Sequence, residues 1–257
     1  MRIIDTCGYI GNWPFRKLSK NTIEDVDALC ADIGADTLML GSANAVFYKN
    51  SYEGNMEVWN ALQGKDLKTK MLPMAMINPA YTRWEEDAKF FVKELGFFGL
   101  EMAPDYQGCN FATDGAKLYR LASELGVPLR INFEFENCRG AHHMDVRNPS
   151  IMTAVLPMLK AGDGTLILNG CGGVDMDVAK AARERGNIFV DIFRFDSFAA
   201  SGLEILADAF TTDQLCIGTR VPFSYGEPNL VKLEYCKAFS DEDREKIAWK
   251  NMAKIVK

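Results

Sequence analysis

Residues 3–11 read IIDTCGYIG, in which two isoleucines lead into an acid, then small and polar residues, and finally a glycine exit. This order is typical of a buried strand that ends at a pocket and delivers its last side chains there. Seven further short apolar segments follow along the chain and alternate with helical stretches. The eight predicted strands cover residues 2–7, 36–41, 71–77, 97–102, 128–134, 165–169, 188–193 and 214–219.

The stretches between these strands carry apolar residues at helical spacing. The first of them covers residues 22–33, and Thr22 with Asp25 resembles a capping box at its start. The remaining predicted helices cover residues 53–63, 82–95, 114–125, 149–160, 175–185, 200–209 and 228–237, and a last helix begins at Ser240.

Eight strands alternating with helices over 257 residues predict a (β/α)8 TIM barrel, formed by residues 1–257 as a single domain. The competing architecture is a doubly wound open sheet, which needs a glycine-rich phosphate turn after its first strand. Only Gly8 and Gly11 follow the first strand here, and their spacing is wrong for that turn.

Composition narrows the classes of partner. The net charge is −6 and no basic run occurs, which argues against nucleic acid as a partner and, more weakly, against anionic membranes. No apolar run reaches the ~18 residues of a membrane span, and no charged-then-apolar leader begins the chain. The seven cysteines are scattered without a CxxC pair, so we expect a cytoplasmic protein with reduced thiols.

Strand alternation predicts an unusually polar barrel interior. In strand 1 we expect Ile4 and Thr6 to face the helices. The side chains expected to face inward are Asp5, Cys7, Tyr9, Glu101, Arg130, Asn132, Glu134, Asp191, Cys216 and Arg220. Buried charges must pair, meet water or bind something, so either ion pairs such as Arg130 with Glu101, or a ligand, would occupy the centre. For Cys7, Tyr9, Asn132, Glu134 and Arg220, at strand ends, a ligand pocket is favoured because barrel active sites lie at that face.

Several segments, in the right order along the whole chain, resemble the amidohydrolase superfamily and its amidohydrolase-2 branch of metal-dependent hydrolases and decarboxylases. The opening IIDTCGYIGNWPFR resembles that family's Asp-x-His-x-His strand and the loop after it. The segments LYRLASELGVPLRIN, LILNGCGG, LCIGTRVPF and SDEDREKIAWKNMAKIV resemble its fifth strand with the preceding helix, its His-x-Gly-Gly turn, its strand-8 motif and its closing helix.

The chain departs from this family at each metal-ligand position that can be placed. The opening histidine pair falls on Cys7 and Tyr9, and the strand-5 histidine falls on Asn132. The strand-6 histidine falls on Gly170, and the strand-8 aspartate falls on Arg220. Asparagine, glycine and arginine bind a divalent cation poorly or not at all, so no cofactor is expected and the family's metal chemistry does not carry over.

Other residues leave alternatives open. Cys7 is a nucleophile, a soft metal ligand or a small buried hydrophobe. His142 and His143 belong to the loop ENCRGAHHMDVRNP, which is either a polar lid or part of a rebuilt metal site. That site would use Cys7, Glu101, His142 and His143. One loop histidine could also serve as a general acid or base.

We therefore expect an enzyme, a divergent amidohydrolase-like hydrolase or a related lyase or isomerase. It would act on a small, anionic, carboxylated or lactone-like molecule. The candidate catalytic residues are Arg220, Glu134, Asp191 and His142, and the candidate substrate-binding residues are Tyr9, Trp13, Arg16, Glu101 and Asn132. Arg220 would hold the anion or pair with Asp191 or Glu134. The alternatives are a non-catalytic ligand-binding or regulatory subunit and a hydrolase with a rebuilt metal site; the resemblance also implies a homodimer.

Overall fold

A computed structural model describes residues 2–136, 140–145, 152–193 and 201–256. Eight parallel strands form one sheet in the order of the sequence, from β1 to β8. They are β1 (Ile3–Ile10), β2 (Ala35–Ser42), β3 (Lys70–Met76), β4 (Gly99–Met102), β5 (Leu129–Asn132), β6 (Leu166–Asn169), β7 (Ile188–Asp191) and β8 (Leu215–Cys216).

The sheet closes on itself between β8 and β1. Backbone N–H groups of Thr6 and Tyr9 donate to the carbonyls of Ile217 and Val221 at 2.8 and 2.9 Å, and the N–H of Arg220 donates to Cys7 at 2.7 Å. The predicted (β/α)8 barrel is therefore confirmed. The last strand is short because only Leu215 and Cys216 pair with β7, whereas the chain beyond them pairs with β1.

Helices surround the barrel. They are α1 (Ile23–Asp32), α2 (Ser51–Leu62), α3 (Trp84–Lys93), α4 (Pro104–Gln107), α5 (Phe111–Leu125), α6 (Val155–Met158), α7 (Met176–Arg185), α8 (Ser201–Phe210), α9 (Glu227–Tyr235), α10 (Asp241–Glu245) and α11 (Asn251–Ala253). A π-helical turn, Lys246–Lys250, joins the last two. None of the described helices is both long and apolar enough to span a membrane.

Local capping sets several helix starts. The predicted capping box of Thr22 and Asp25 is confirmed at α1. Helix α5 begins earlier than predicted because the Asn110 side chain accepts the N–H of Thr113 at 3.2 Å. The helix predicted at 149–160 is the short α6 after a 3₁₀ turn, Met152–Ala154, and residues 149–151 lie outside the described residues.

An irregularity in β1 corrects the predicted facing of its first half. The register with β2 slips between Asp5 and Gly8, as at a β-bulge, which changes which residues face inward. Ile4 packs with Met39 and Ile167 inside the barrel, and the Thr6 hydroxyl accepts a hydrogen bond from Asn169 at 2.9 Å. The expectation that Ile4 and Thr6 face the helices was therefore wrong, while Cys7 and Tyr9 still turn inward beyond the bulge.

Candidate active site at the carboxyl ends of the strands

A fully buried ion pair lies on neighbouring strands. Glu101 and Arg130 are register partners on β4 and β5, and Arg130 Nη2 lies 2.7 Å from Glu101 Oε2. Arg130 Nη1 donates to the carbonyls of Thr6 and Met39, both at 2.7 Å. Burial lowers the pKa of Arg130, but the attraction of Glu101 raises it above its ordinary value, so the guanidinium stays charged. The predicted pair is confirmed.

Tyr9 connects this ion pair to Asn132. Its phenol donates a short hydrogen bond to Glu101 Oε1 and accepts one from Asn132 Nδ2 at 2.8 Å. Burial raises the pKa of Tyr9 well above its ordinary value, so the phenol keeps its proton. Gly41 makes room for this cluster, because a Cβ atom there would lie 2.6 Å from Glu101 Oε2.

Cys7 lies against the same cluster, with its Sγ atom 3.7 Å from the Tyr9 hydroxyl. Burial raises the pKa of the Cys7 thiol to about 12, against the lowering effect of Arg130 and Arg220. The thiol is therefore protonated at neutral pH, which favours a small buried hydrophobe over a nucleophile or a metal ligand.

Arg220 occupies the end of the strand-8 segment in a strained backbone conformation, with φ of +60°. Its side chain is fully buried, and in the described part of the chain Nε, Nη1 and Nη2 make no hydrogen bond. The Cζ atom lies 4.1 Å from the centre of the Phe193 ring, and Nη1 lies 3.8 Å from Glu134 Oε2. Among the residues that the structure describes, the guanidinium thus has an ion-pair partner in Glu134 but no hydrogen bond.

Gly170 is the reason that Arg220 fits. Gly170 has φ of +73°, and a Cβ atom at that position would lie 1.8 Å from Nη2 of Arg220. The guanidinium therefore fills space that any other residue at position 170 would take. Gly170 and Arg220, two of the departures from the resembled family, therefore depend on each other, because the arginine fits only where position 170 has no side chain.

Asp191, at the end of β7, accepts two hydrogen bonds from the carboxyl end of the neighbouring strand β6. Asn169 Nδ2 donates to Oδ2 at 2.8 Å, and the N–H of Gly170 donates to Oδ1 at 2.9 Å. Burial raises the pKa of Asp191, and the charge of Arg220 opposes that rise. Sequence reasoning missed Asn169; its position directly before Gly170 at the end of a predicted strand was the available signal.

Asp5 ties β1 to the segment after β8. Its Oδ1 accepts the N–H groups of Cys7 at 3.0 Å and Thr219 at 2.9 Å, and its Oδ2 accepts a short hydrogen bond from the Thr219 hydroxyl. Burial raises the pKa of Asp5 to about 6, although the Thr219 hydrogen bonds lower it. Thr219 is a second residue that sequence reasoning missed.

Aromatic side chains cover the polar centre. Trp13 stacks on Phe135 with ring centres 5.1 Å apart, and Phe135 lies 4.8 Å from the ring of Tyr9. Phe223 packs edge-on against Trp13 at 4.9 Å, and the partly exposed Phe47 contacts Trp13 from outside at 4.9 Å. We refer to Trp13, Phe135 and Phe223 as the aromatic cover.

Two polar contacts fasten the aromatic cover. Glu136 accepts a hydrogen bond from Trp13 Nε1 at 3.1 Å and forms a short ion pair with Arg16. Arg16 Nη2 also donates to the carbonyl of Phe223 at 2.9 Å. Trp13 and Arg16, the predicted substrate-binding loop residues, thus bridge the segments that follow β1, β5 and β8.

The two loop histidines lie at the surface. The rings of His142 and His143 are 4.2 Å apart, both side chains are exposed, and His142 Nδ1 accepts the N–H of Met144 at 3.1 Å. Cys138, from the same loop, lies outside the described residues. Within the described ranges no three His, Cys, Asp or Glu side chains are grouped to hold a metal ion.

Comparison with known proteins shows the fold. No protein-family model matches the chain and no curated protein matches it. A candidate amidohydrolase from Staphylococcus aureus is 12% identical, with 99% of each chain covered and a TM-score of 0.71. The 2,6-dihydroxybenzoate decarboxylase from Rhizobium is 14% identical, with 98% of each chain covered and a TM-score of 0.70.

A third solved structure of like fold contains a bound metal ion. The dihydroxybenzoic acid decarboxylase from Polaromonas sp. JS666, with bound manganese and the inhibitor 2-nitroresorcinol, is 15% identical; the match covers 98% of this chain and 96% of that one, with a TM-score of 0.72. At such identities the likeness shows the fold alone. The resemblance to the amidohydrolases is confirmed at that level.

The residues at the five positions where the resemblance places metal ligands do not fit a divalent cation. Gly170 offers no ligand, and the guanidinium of Arg220 fills the space beside it. Tyr9 and Asn132 are hydrogen-bonded to each other, and the Cys7 thiol is protonated. A cation placed among these groups would be repelled by Arg220 and would find no anionic ligand in the set.

Proposed function

We propose that the chain is an enzyme that acts on a small carboxylated molecule, with Arg220 as the group that binds the substrate anion. The observation that carries this proposal is the buried guanidinium of Arg220, whose donors find no acceptor in the described part of the chain. A buried charged group without hydrogen bonds is costly, and a carboxylate supplies two acceptors in the geometry that guanidinium prefers. Oδ1 atoms of Asn132 and Asn169, which also find no partner there, would accept from substrate hydroxyls.

The remaining roles follow from position. Glu134, 3.8 Å from Arg220, lies beside the proposed anion and is the first candidate for moving a proton. Asp191 is the second candidate, while Tyr9, Asn132 and Glu101 form the polar floor. Trp13 and Arg16 would contact the substrate at the mouth, and His142 stays a candidate acid or base from the loop. The reaction class we propose is hydrolysis or decarboxylation of a planar carboxylate or a lactone. Two of the proteins of like fold are named as dihydroxybenzoate decarboxylases, and another is named as a candidate 2-pyrone-4,6-dicarboxylic acid hydrolase.

The test is binding of 2,6-dihydroxybenzoate by calorimetry, followed by assay of carbon dioxide release. Arg220→Gln should weaken binding by about 100-fold, since a hydrogen-bonded charge in a buried pair contributes about 2–3 kcal/mol. The matched control is Arg120→Gln, which removes an exposed arginine far from the strand ends. Equal affinity in wild type and Arg220→Gln would contradict the proposal and would indicate that ordered water satisfies Arg220 instead.

We also propose that catalysis needs no divalent metal. Elemental analysis of untagged protein, purified without chelator, checks this directly. About one Zn²⁺, Mn²⁺ or Fe per chain would contradict it and would revive a site rebuilt from Cys7, Glu101, His142 and His143. The homodimer and the cytoplasmic location stay predictions.

A second candidate function is a non-catalytic binding or regulatory subunit. The observation that favours it is the cluster of Glu101, Arg130, Tyr9 and Asn132, whose members are buried and bonded to one another. Such a cluster stabilises a barrel without reacting. Binding of a carboxylate at Arg220 with no turnover of hydroxybenzoates or pyrone carboxylates would support this function over the enzyme.

A further inference from the structure

The ring of Phe193 covers one side of the guanidinium of Arg220. Phe193 comes two residues after the end of β7, and its ring centre lies 4.1 Å from Arg220 Cζ. At that separation the face of an aromatic ring attracts a guanidinium group. We propose that Phe193 is a positioning residue, whose ring holds Arg220 in the orientation that binds the substrate carboxylate. This inference rests on the role proposed above for Arg220.

Arg220 differs from Arg130, which is equally buried, in what fixes its orientation. Arg130 donates hydrogen bonds to two backbone carbonyls and to Glu101, all at 2.7 Å. Within the described ranges the nitrogens of Arg220 make no hydrogen bond, and its ion pair with Glu134 is too long at 3.8 Å to be one. An arginine side chain has several rotatable bonds, so its orientation there depends on the ring of Phe193 and on the close backbone of Gly170.

The backbone that carries Phe193 is fastened from two directions. The N–H of Ile192 donates to the carbonyl of Cys216 in β8 at 3.0 Å. From α9, Lys232 Nζ donates to the carbonyls of Phe193 at 2.8 Å and Ile192 at 3.3 Å. A side chain on a fixed backbone needs little further ordering, so the ring is preorganised to hold Arg220.

Without the ring, Arg220 has an acceptor toward which it can turn. Its Nη1 atom lies 3.8 Å from Glu134 Oε2, about 1 Å beyond the length of a hydrogen-bonded ion pair. A leucine at position 193 would fill much of the space but would offer no aromatic face to the guanidinium. Arg220 would then rotate slightly and donate to Glu134. The substrate carboxylate would have to break that hydrogen-bonded pair, so its affinity would fall.

Calorimetry with 2,6-dihydroxybenzoate tests the effect on binding. Phe193→Leu should weaken binding about tenfold, the order expected for loss of a desolvated cation–π contact. Phe193→Tyr keeps the ring and should bind within about twofold of wild type, whereas a role in apolar packing alone would be kept by leucine as well. Phe90→Leu removes a partly buried ring that stacks on Tyr52 in the helix layer, and this matched control should bind like wild type.

A crystal structure of ligand-free Phe193→Leu gives a second readout, which needs no ligand. The distance from Arg220 Nη1 to Glu134 Oε2 should shorten from 3.8 Å to about 2.8 Å. If wild type binds no carboxylate, the proposed function fails, and this distance alone then decides whether Phe193 positions Arg220. If the leucine variant does not fold in a urea denaturation test, Phe193→Met replaces it in both measurements, since methionine is also apolar and lacks a ring.

Two results would overturn the inference. The first is an Arg220 that keeps its place in Phe193→Leu, because any loss of affinity would then come from a direct contact between Phe193 and the substrate. The second is a loss of affinity in Phe193→Tyr as large as that in Phe193→Leu, because the aromatic face would then not be what matters.

Discussion

Gly170 lies so close to Arg220 that position 170 has no room for a side chain while the guanidinium keeps its place. Alanine at position 170 would place a methyl group inside the guanidinium and would also hold a left-handed backbone. We expect Gly170→Ala to lower the free energy of unfolding by about 3 kcal/mol or more, from overpacking plus backbone strain. Urea denaturation measures this directly.

A control variant at another glycine separates the cost of overpacking from the cost of backbone strain. Gly186, the residue after α7, has a similar φ of +70° but nothing within 4 Å of an added Cβ atom. Gly186→Ala should therefore cost only about 1 kcal/mol. In the double variant Gly170→Ala/Arg220→Ala the excess cost should disappear; if the single and double variants lose stability equally, the clash is not its cause.

The raised pKa of Asp5 predicts that the free energy of unfolding depends on pH. Its pKa is raised from 3.8 to about 6, chiefly by burial, so the folded protein holds this proton more tightly than the unfolded chain. The stability that the protonated group contributes is complete below pH 3.8 and is lost as the pH rises through 6. Asp5→Asn keeps an oxygen for the N–H groups of Cys7 and Thr219, so it should be more stable than wild type above pH 7.

The measurement is the difference in unfolding free energy between Asp5→Asn and wild type from pH 4 to pH 7. This difference should grow by about 3 kcal/mol in favour of the variant, because only wild type must ionise the buried Asp5. The other titrating groups are the same in both proteins, so their contributions cancel in the difference. A difference that stays flat over this range would mean that Asp5 is ionised in the folded protein throughout.

At the scale of the elements, the aromatic cover joins the segments after β1, β5 and β8 through Arg16 and Glu136. Arg16 is nearly half exposed, so its ion pair should contribute less than about 1 kcal/mol to folding. Its effect should instead be local. We expect Arg16→Gln to speed solvent exchange of the Trp13 indole proton about tenfold, while global stability changes little.

Arg2→Gln is the control for this change, because Arg2 forms an exposed ion pair with Asp36 at the opposite end of β1. Exchange of the Trp13 proton should be the same in that variant and in wild type. If Arg16→Gln leaves the exchange rate unaltered as well, the hydrophobic contacts of the aromatic cover alone hold it closed.

The elements also show where sequence patterns stop being informative. Alternation in β4, β5 and β7 correctly places Glu101, Arg130 and Asp191 inside, because these strands keep regular register with their neighbours. In β1 the same reasoning fails before the irregularity between Asp5 and Gly8, since an extra residue shifts the alternation. The sequence IIDTCGYIG contains no feature that predicts this register shift.

At the scale of the whole molecule, the order of eight apolar segments was enough to predict the barrel, because each segment needs burial on both faces. The polar centre was only partly predictable. Glu101 with Arg130 follows from neighbouring strands, but Asn169 and Thr219 act through side-chain hydrogen bonds that depend on three-dimensional position. The aromatic cover could not be predicted as a unit, since neighbouring members along the chain, Trp13, Phe135 and Phe223, are 122 and 88 residues apart.

The contact between positions 170 and 220 also restricts the history of the chain. In an ancestor with a histidine at position 170, an arginine at position 220 in its present place would have collided with that side chain. If the chain descends from such an ancestor, the mutation to glycine preceded the mutation to arginine, or the two arose together. Among relatives, arginine at position 220 in this place is therefore expected only together with glycine at position 170.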